Sequence, residues 1–112
     1  MVARQLLRRL HMEYNNFINN PHEQFSAVPV DPKDPFEWIA MIIGPKNTPY
    51  EGGKFYLKIK IKNDYPFRAP IVRFKTKIKN PYVTESGYVC LSILYEGWHP
   101  RKNIEKILKS IF

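Results

Sequence analysis

The chain contains one cysteine, Cys90, in a segment whose composition is distinctive. The segment reads Gly87-Tyr88-Val89-Cys90-Leu91-Ser92-Ile93-Leu94 and is followed by Trp98 and Pro100. A lone cysteine forms no internal disulfide, so Cys90 is a buried apolar residue, a redox-sensitive thiol or a nucleophile. A free thiol has a pKa of about 8.5, so a few per cent of it is thiolate at neutral pH. The sequence places no obvious general base beside it.

The histidines of the chain do not suggest a metal centre. His11, His22 and His99 are far apart, and a single cysteine completes no ligand spacing typical of zinc, so no metal is expected. His99 lies nine residues after Cys90 and is not an obvious catalytic base.

Length and composition predict one domain over residues 1–112, since 44% of the residues are hydrophobic and can form a core. Apolar runs are much shorter than the about 20 residues that cross a bilayer, so no membrane association is expected. One cysteine and no targeting segment indicate the reducing cytoplasm or nucleus. The net charge of +8 allows an acidic partner, but the basic residues are dispersed, which favours a solvated basic surface over nucleic-acid binding.

Periodicity predicts the elements that position these residues. Apolar residues at three- and four-residue spacing predict an amphipathic helix over residues 4–18. Strands are predicted over residues 25–30, 36–43, 55–62 and 71–76, and the third alternates apolar residues with lysines as a half-buried strand does. Residues 79–100 form a long loop, and Asn103 is a predicted N-cap for a last helix. The order predicts an α+β fold with a four-stranded antiparallel meander sheet.

Several motifs together make the chain resemble the ubiquitin-conjugating enzymes, the E2 family. They are Trp38; Gly44-Pro45; Thr48-Pro49-Tyr50-Glu51-Gly52-Gly53; Tyr65-Pro66-Phe67 with Pro70; Gly87 with Cys90-Leu91; and Trp98 with Pro100. The resemblance covers nearly the whole chain and implies a UBC-like fold. The family fold normally continues with two further helices, so the domain is expected to be C-terminally truncated.

The resemblance implies a mechanism for Cys90. The thiol would accept the C-terminus of ubiquitin, or of a ubiquitin-like modifier, as a thioester from an E1 activating enzyme. It would then pass the modifier to an amine or to a ligase cysteine. No cofactor is expected on this chain, because ATP is used by the activating enzyme.

Partner surfaces follow from the same resemblance. Arg8 and Arg9 match residues that dock the activating enzyme, although they are also typical of an ordinary solvent-exposed helix face. Two loops match those that meet RING or HECT ligases, with Pro66 and Phe67 in one and His99 and Pro100 in the other; the alternative for Phe67 is a core position. Ser26 matches the face where some members bind a second, non-covalent ubiquitin, and it also suits any exposed strand.

The family motif changes upstream of the cysteine. Where most active members have His-Pro-Asn, this chain has Asn80-Pro81-Tyr82. Asn80 is expected to hold the loop through backbone hydrogen bonds, and the Tyr82 phenol to offer one donor in place of an oxyanion-stabilising amide. Losing such a donor costs about 2.7–4 kcal/mol, which is enough to impair discharge onto lysine without blocking loading. Ser92 completes the candidate catalytic residues.

Three interpretations stay open at this point. The chain is an active but atypical conjugating enzyme, resembling the branch that modifies N-terminal α-amino groups, whose motif also lacks the asparagine. Alternatively, it is a non-catalytic variant that binds ubiquitin or ligases. The third possibility is an inactive fragment. The retained Gly87, Cys90-Leu91 and Trp98 favour the first.

Overall fold

The computed structural model describes residues 4–112 as an α+β fold, which confirms the predicted class. Its elements are α1 (Arg4–Asn19), β1 (Phe25–Asp31), β2 (Asp34–Ile43), β3 (Lys54–Lys60), β4 (Ile71–Phe74), a short 3-10 helix (Ser92–Leu94) and α2 (Ile104–Ile111). The four strands form one antiparallel sheet in sequence order. No helix within residues 4–112 is long and apolar enough to cross a membrane.

The sheet has one buried and one exposed face, as the alternation in β3 predicts. Leu57 and Ile59 are almost fully buried, whereas Lys58 between them and Lys60 after them are exposed. Leu57 pairs with Ala40 on β2 and with Phe74 on β4, so apolar residues of three strands share the inner face. Burying this face is the main stabilising contribution of the sheet.

Helix α1 covers the inner face through residues at helical spacing. Leu6, Leu10 and Phe17 are buried, and the Phe17 ring lies 6.3 Å from that of Trp38. Trp38 is fully buried and its Nε1–H donates to the carbonyl of Pro35 at 2.8 Å, which confirms its predicted core role. The helix ends at Asn19, close to Pro21, because a proline disfavours helical backbone in the residue before it.

Strand β4 ends earlier than predicted, at Phe74 rather than at residue 76. The Lys75 N–H still donates to the Tyr56 carbonyl at 2.7 Å, but the Tyr56 N–H donates to the Thr76 hydroxyl at 2.9 Å. A threonine side chain therefore replaces the backbone partner, which is how a β-ladder ends without an unsatisfied donor.

Helix α2 begins as predicted at Asn103, whose side chain accepts from the Lys106 N–H at 2.8 Å. The predicted apolar residues are all buried: Ile104, Ile107, Leu108 and Ile111. After the helix, the Phe112 ring stacks on Tyr50 at 4.6 Å. This contact joins the C-terminal end of the helix to the turn between β2 and β3.

A buried carboxylate, that of Glu13, joins α1 to the loop at Tyr65 and to the start of α2. It accepts hydrogen bonds from the Arg9 guanidinium at 3.0 Å, from the Tyr65 hydroxyl at 2.5 Å and from the Ile104 N–H at 2.9 Å. We call these four residues the Glu13 network. Because Tyr65 precedes Pro66 and Ile104 begins α2, the network holds two loops against one helix.

Candidate active site

Cys90 lies on the surface, at the end of a short antiparallel pairing. Its N–H donates to the Tyr82 carbonyl at 2.7 Å, and Val83 and Val89 form an isolated bridge beside it. The thiol is exposed and its Sγ lies 3.8 Å from the Tyr88 carbonyl, which it faces as a weak donor. An exposed thiol on a held backbone is available to an incoming acyl group, unlike a buried apolar cysteine.

Gly87 is required by the backbone that leads to Cys90. Its φ is +97°, which side chains disfavour, and a Cβ there would lie 2.5 Å from the Phe74 carbonyl. That closeness allows the Phe74 N–H to donate to the Gly87 carbonyl at 2.8 Å. The glycine therefore ties the cysteine segment to the outer strand of the sheet.

Asn80 holds the loop opposite Cys90 in the way the sequence predicts. Its Oδ1 accepts from the Tyr82 N–H at 2.8 Å, and its Nδ2 donates to the Tyr50 hydroxyl at 2.9 Å. The Tyr50 hydroxyl donates in turn to the Lys79 carbonyl at 3.1 Å. This places the Tyr82 backbone directly against Cys90, while 57% of the Tyr82 side chain stays exposed.

A residue that the sequence reasoning missed, Tyr95, lies beside Cys90. The 3-10 helix Ser92–Leu94 reverses the chain, and the Tyr95 N–H donates to the Ser92 carbonyl at 3.0 Å. Desolvation, and then the charge of Cys90 and a hydrogen bond with it, raise the pKa of the Tyr95 phenol. The raised pKa favours the protonated form of the phenol.

Ser92 is exposed, but its described hydrogen bonds are those of its backbone. Its carbonyl accepts from the N–H groups of Tyr95 and Gly97, at 3.0 and 2.8 Å. The residue thus helps to form the turn after Cys90, and a catalytic role for its hydroxyl stays a prediction.

The two predicted ligase loops lie side by side. The Trp98 Nε1–H donates to the Pro66 carbonyl at 2.8 Å and the Trp98 ring lies 6.0 Å from that of Tyr65. This confirms the loop-packing role predicted for Trp98. His99 and Pro100, which follow it, are exposed.

Phe67 is not part of the core. Its side chain is 76% exposed, and it borders a groove of about 420 Å³ that Leu94, Tyr95 and Trp98 also line. A large exposed aromatic beside a groove is the kind of residue that dominates small interfaces. Ligase binding at Phe67 stays a prediction.

The two arginines on α1 differ in their surroundings. Arg8 is exposed, whereas the Arg9 guanidinium donates to Glu13 and to the carbonyls of Pro100 and Lys102, at 2.9 and 2.6 Å. Arg9 therefore has a structural role that the sequence did not reveal. Docking of the activating enzyme stays a prediction for both.

Ser26 is exposed on the outer face of β1, paired in register with Met41. Contact of Ser26 with a second ubiquitin stays a prediction. Within residues 4–112, no three His, Cys, Asp or Glu side chains are grouped so that they could hold a metal ion.

Comparisons with known proteins agree with this fold. The family model described as ubiquitin-conjugating enzyme matches residues 9–112. The solved structure of human ubiquitin-conjugating enzyme E2 G1 is similar, with a TM-score of 0.85 and 41% identity, over 96% of this chain and 88% of that chain. The chain therefore belongs to the ubiquitin-conjugating enzyme family. The enzymes of that family are transferases that act with ubiquitin, an activating enzyme and a ligase.

Proposed function

We propose that this chain carries ubiquitin, or a ubiquitin-like modifier, as a thioester on Cys90 and transfers it to an amine or to a ligase cysteine. The observation that carries the proposal is the exposed thiol of Cys90, a residue whose backbone N–H donates to the Tyr82 carbonyl, in a chain of this family. ATP is used upstream by the activating enzyme, so no cofactor is needed here. The proposed location is the cytoplasm or nucleus.

The chemistry is two successive acyl transfers. In the first, the Cys90 thiolate attacks the carbonyl of the activating enzyme's thioester. A new S–C bond forms, the old one breaks, and the activating enzyme's thiol regains a proton. In the second, an unprotonated amine attacks the Cys90 thioester, loses a proton to water, and Cys90 leaves as thiolate.

The test is loading of the protein in the presence of activating enzyme, ATP and ubiquitin or a ubiquitin-like modifier. We expect an adduct on the wild-type protein that disappears when reductant is added. Absence of such an adduct with every modifier would contradict the enzymatic proposal and would favour a binding role for the fold.

Replacing Tyr82 by asparagine is expected to raise the rate of discharge onto free lysine by about tenfold to a hundredfold, because an amide donor then faces the oxyanion. Discharge onto a peptide α-amine should be faster than discharge onto lysine in both proteins, since its pKa of about 7.7–8.0 leaves more of it unprotonated. Single-turnover discharge of preloaded protein measures both rates.

The matched control for this change is Tyr56→Asn, which alters an exposed tyrosine on the outer sheet face. It should leave both rates at the wild-type value. An unchanged lysine rate in Tyr82→Asn would show that the missing asparagine does not limit this enzyme.

Replacing Tyr95 by phenylalanine is expected to slow discharge about tenfold, since a hydrogen bond to a charged group contributes about 1.5–3 kcal/mol. The phenol would donate to the sulfur as it regains negative charge when the thioester breaks. Tyr56→Phe serves as the control. Equal single-turnover rates for wild type and Tyr95→Phe would exclude this role.

A further inference from the structure

The excess of positive over negative charge in the chain lies in one segment. Residues 54–79 contain nine of the 18 Lys and Arg residues but one of the ten Asp and Glu residues. The rest of the chain holds nine of each sign, so the net charge of +8 arises entirely from this segment. Its one acidic residue, Asp64, forms an ion pair with Arg68 at 3.5 Å.

The remaining basic residues of the segment are exposed and follow two neighbouring strands. They are Lys54, Lys58, Lys60, Lys62, Arg73, Lys75, Lys77 and Lys79. We call this set the basic stripe. Lys58 and Arg73 are direct register partners across β3 and β4. Along β3 the lysines alternate with buried residues and therefore point to the outer face.

The stripe lacks compensating charge within residues 4–112. The ion pairs there are Arg9–Glu13, Arg68–Asp64 and Lys109–Glu105, none of which involves it. Glu37 is the register partner of Lys60, and Glu85 lines the groove beside Lys77, but neither forms an ion pair with a stripe residue. Like charges placed opposite each other destabilise a sheet.

We propose that the basic stripe binds an acidic, extended polypeptide segment of a partner protein. Successive lysines on one strand face are about 6.6 Å apart, which is within the screening length of about 8 Å at physiological salt. Their potentials therefore add, and an acidic segment relieves the repulsion among them. From Lys54 to Lys62 the stripe spans about 27 Å, the length of about eight extended residues.

The side-chain types favour a carboxylate-bearing partner over a nucleic acid. All but one of the stripe residues are lysine, whereas the planar fork of arginine is the residue of choice for phosphate recognition. Single-stranded nucleic acids bind grooves in which aromatic side chains stack on successive bases. On β3, Tyr56 is the aromatic residue that interrupts the exposed lysines.

The stripe contacts the segment that leads to Cys90 through Arg73, the residue opposite Lys58. The Arg73 guanidinium lies 5.1 Å from the centre of the Tyr88 ring and donates to the Ser86 carbonyl at 2.8 Å. Tyr88 is two residues from Cys90 and faces the thiol through its carbonyl. An acidic segment bound along the stripe would therefore pass close to the chain segment that leads to Cys90.

Fluorescence anisotropy with a labelled peptide of about eight glutamates, the length set by the strand spacing, tests the proposal. We expect binding at low salt that weakens at least about tenfold when salt rises from about 0.1 M to about 1 M, because screening shortens to about 3 Å. The triple variant Lys58→Glu, Lys60→Glu, Arg73→Glu should weaken binding at least about tenfold.

The matched control carries the same change of net charge on exposed lysines outside the stripe: Lys33→Glu, Lys46→Glu and Lys106→Glu. It should weaken binding less than about threefold, since lysines at these positions attract the peptide only through the long-range electrostatic potential of the protein. An equal loss in both triple variants would mean that net charge, not the stripe, attracts the peptide, and would overturn the proposal.

A single-stranded RNA of equal charge is the competing probe. Tighter binding of the RNA than of the peptide, lost in the same stripe variant, would assign the surface to nucleic acid and overturn the proposal. Absence of peptide binding at low salt would also overturn it. Because binding does not involve Cys90, these outcomes are separate from success or failure of thioester loading.

Misfolding is excluded by the single variant Lys58→Glu. It places a carboxylate opposite Arg73 and replaces a repulsive cross-strand pair with an attractive one. We expect its midpoint of thermal unfolding to equal or exceed that of the wild type while its affinity for the acidic peptide falls. Retained affinity in this stable variant would count against the stripe.

Discussion

Cys90→Ala is expected to form no adduct with activating enzyme, ATP and modifier, and Cys90→Ser to form at most an adduct that survives reductant. Alanine has no nucleophile, so loading stops completely. Serine replaces the thioester by an oxygen ester, which thiols do not readily cleave, and its weaker nucleophile slows loading. Gel electrophoresis with and without reductant separates the three outcomes.

Ser86→Ala is the matched control for the cysteine variants, because Ser86 is exposed on the same loop and lies outside the proposed chemistry. It should load like the wild type. A reductant-sensitive adduct on Cys90→Ala would be incompatible with the proposed acceptor, since Cys90 is the one cysteine of the chain.

Glu13→Ala is expected to lower the free energy of unfolding by about 3–5 kcal/mol, as removal of one partner from a buried ion pair does. The change leaves the Tyr65 hydroxyl and the Ile104 N–H without their acceptor, and the Arg9 guanidinium without its carboxylate. Domains of this size have a total stability of about 5–15 kcal/mol, so the loss is a large fraction. Denaturant unfolding monitored by tryptophan fluorescence measures it.

Glu13→Gln separates shape from charge. The amide fits the same space and retains one acceptor oxygen, so a smaller loss than in Glu13→Ala is expected. Glu23→Ala, at an exposed position, should change stability by less than about 0.5 kcal/mol. If Glu13→Ala were as stable as Glu23→Ala, the Glu13 network would have no stabilising role.

The same network makes the stability of the fold depend on pH in the alkaline range. Burial, and then the charge of Glu13 and its hydrogen bond, raise the pKa of Tyr65 well above the ordinary value of about 10. The folded state therefore favours the protonated phenol. The contribution of the protonated phenol to the free energy of unfolding is complete below pH about 10 and is lost as pH rises beyond that value. This loss should be absent in Tyr65→Phe.

Sequence patterns predicted most of the local structure because each pattern reports one element. The lysine alternation in β3 located its buried face, and Asn103 located the start of α2 through its side-chain cap. The end of β4 was predicted too late, because the Thr76 hydroxyl takes over as a backbone partner. This replacement of a backbone partner by a side chain depends on which strand lies opposite. It therefore leaves no periodic pattern in the sequence.

The residues of the candidate site likewise include some that could be predicted from the sequence and some that could not. Cys90 and the changed motif at Asn80 and Tyr82 were recognisable as residue types in order along the chain. Tyr95 was not, because four residues separate it from Cys90 along the chain and the 3-10 helix Ser92–Leu94 between them brings the phenol near the sulfur. Arg9 was assigned a surface role, whereas its guanidinium lies against the carbonyls of Pro100 and Lys102.

By itself, the sequence determined the fold class, the buried face of β3, the N-cap of α2 and the identity of the candidate nucleophile. Those properties depend on residue type and on spacing within a single element. The tertiary structure alone decided the Glu13 network, the Trp98–Pro66 hydrogen bond and the placement of Lys58 opposite Arg73. The physical reason is that each of these contacts joins distant segments, so its geometry depends on strand register and loop path rather than on local pattern.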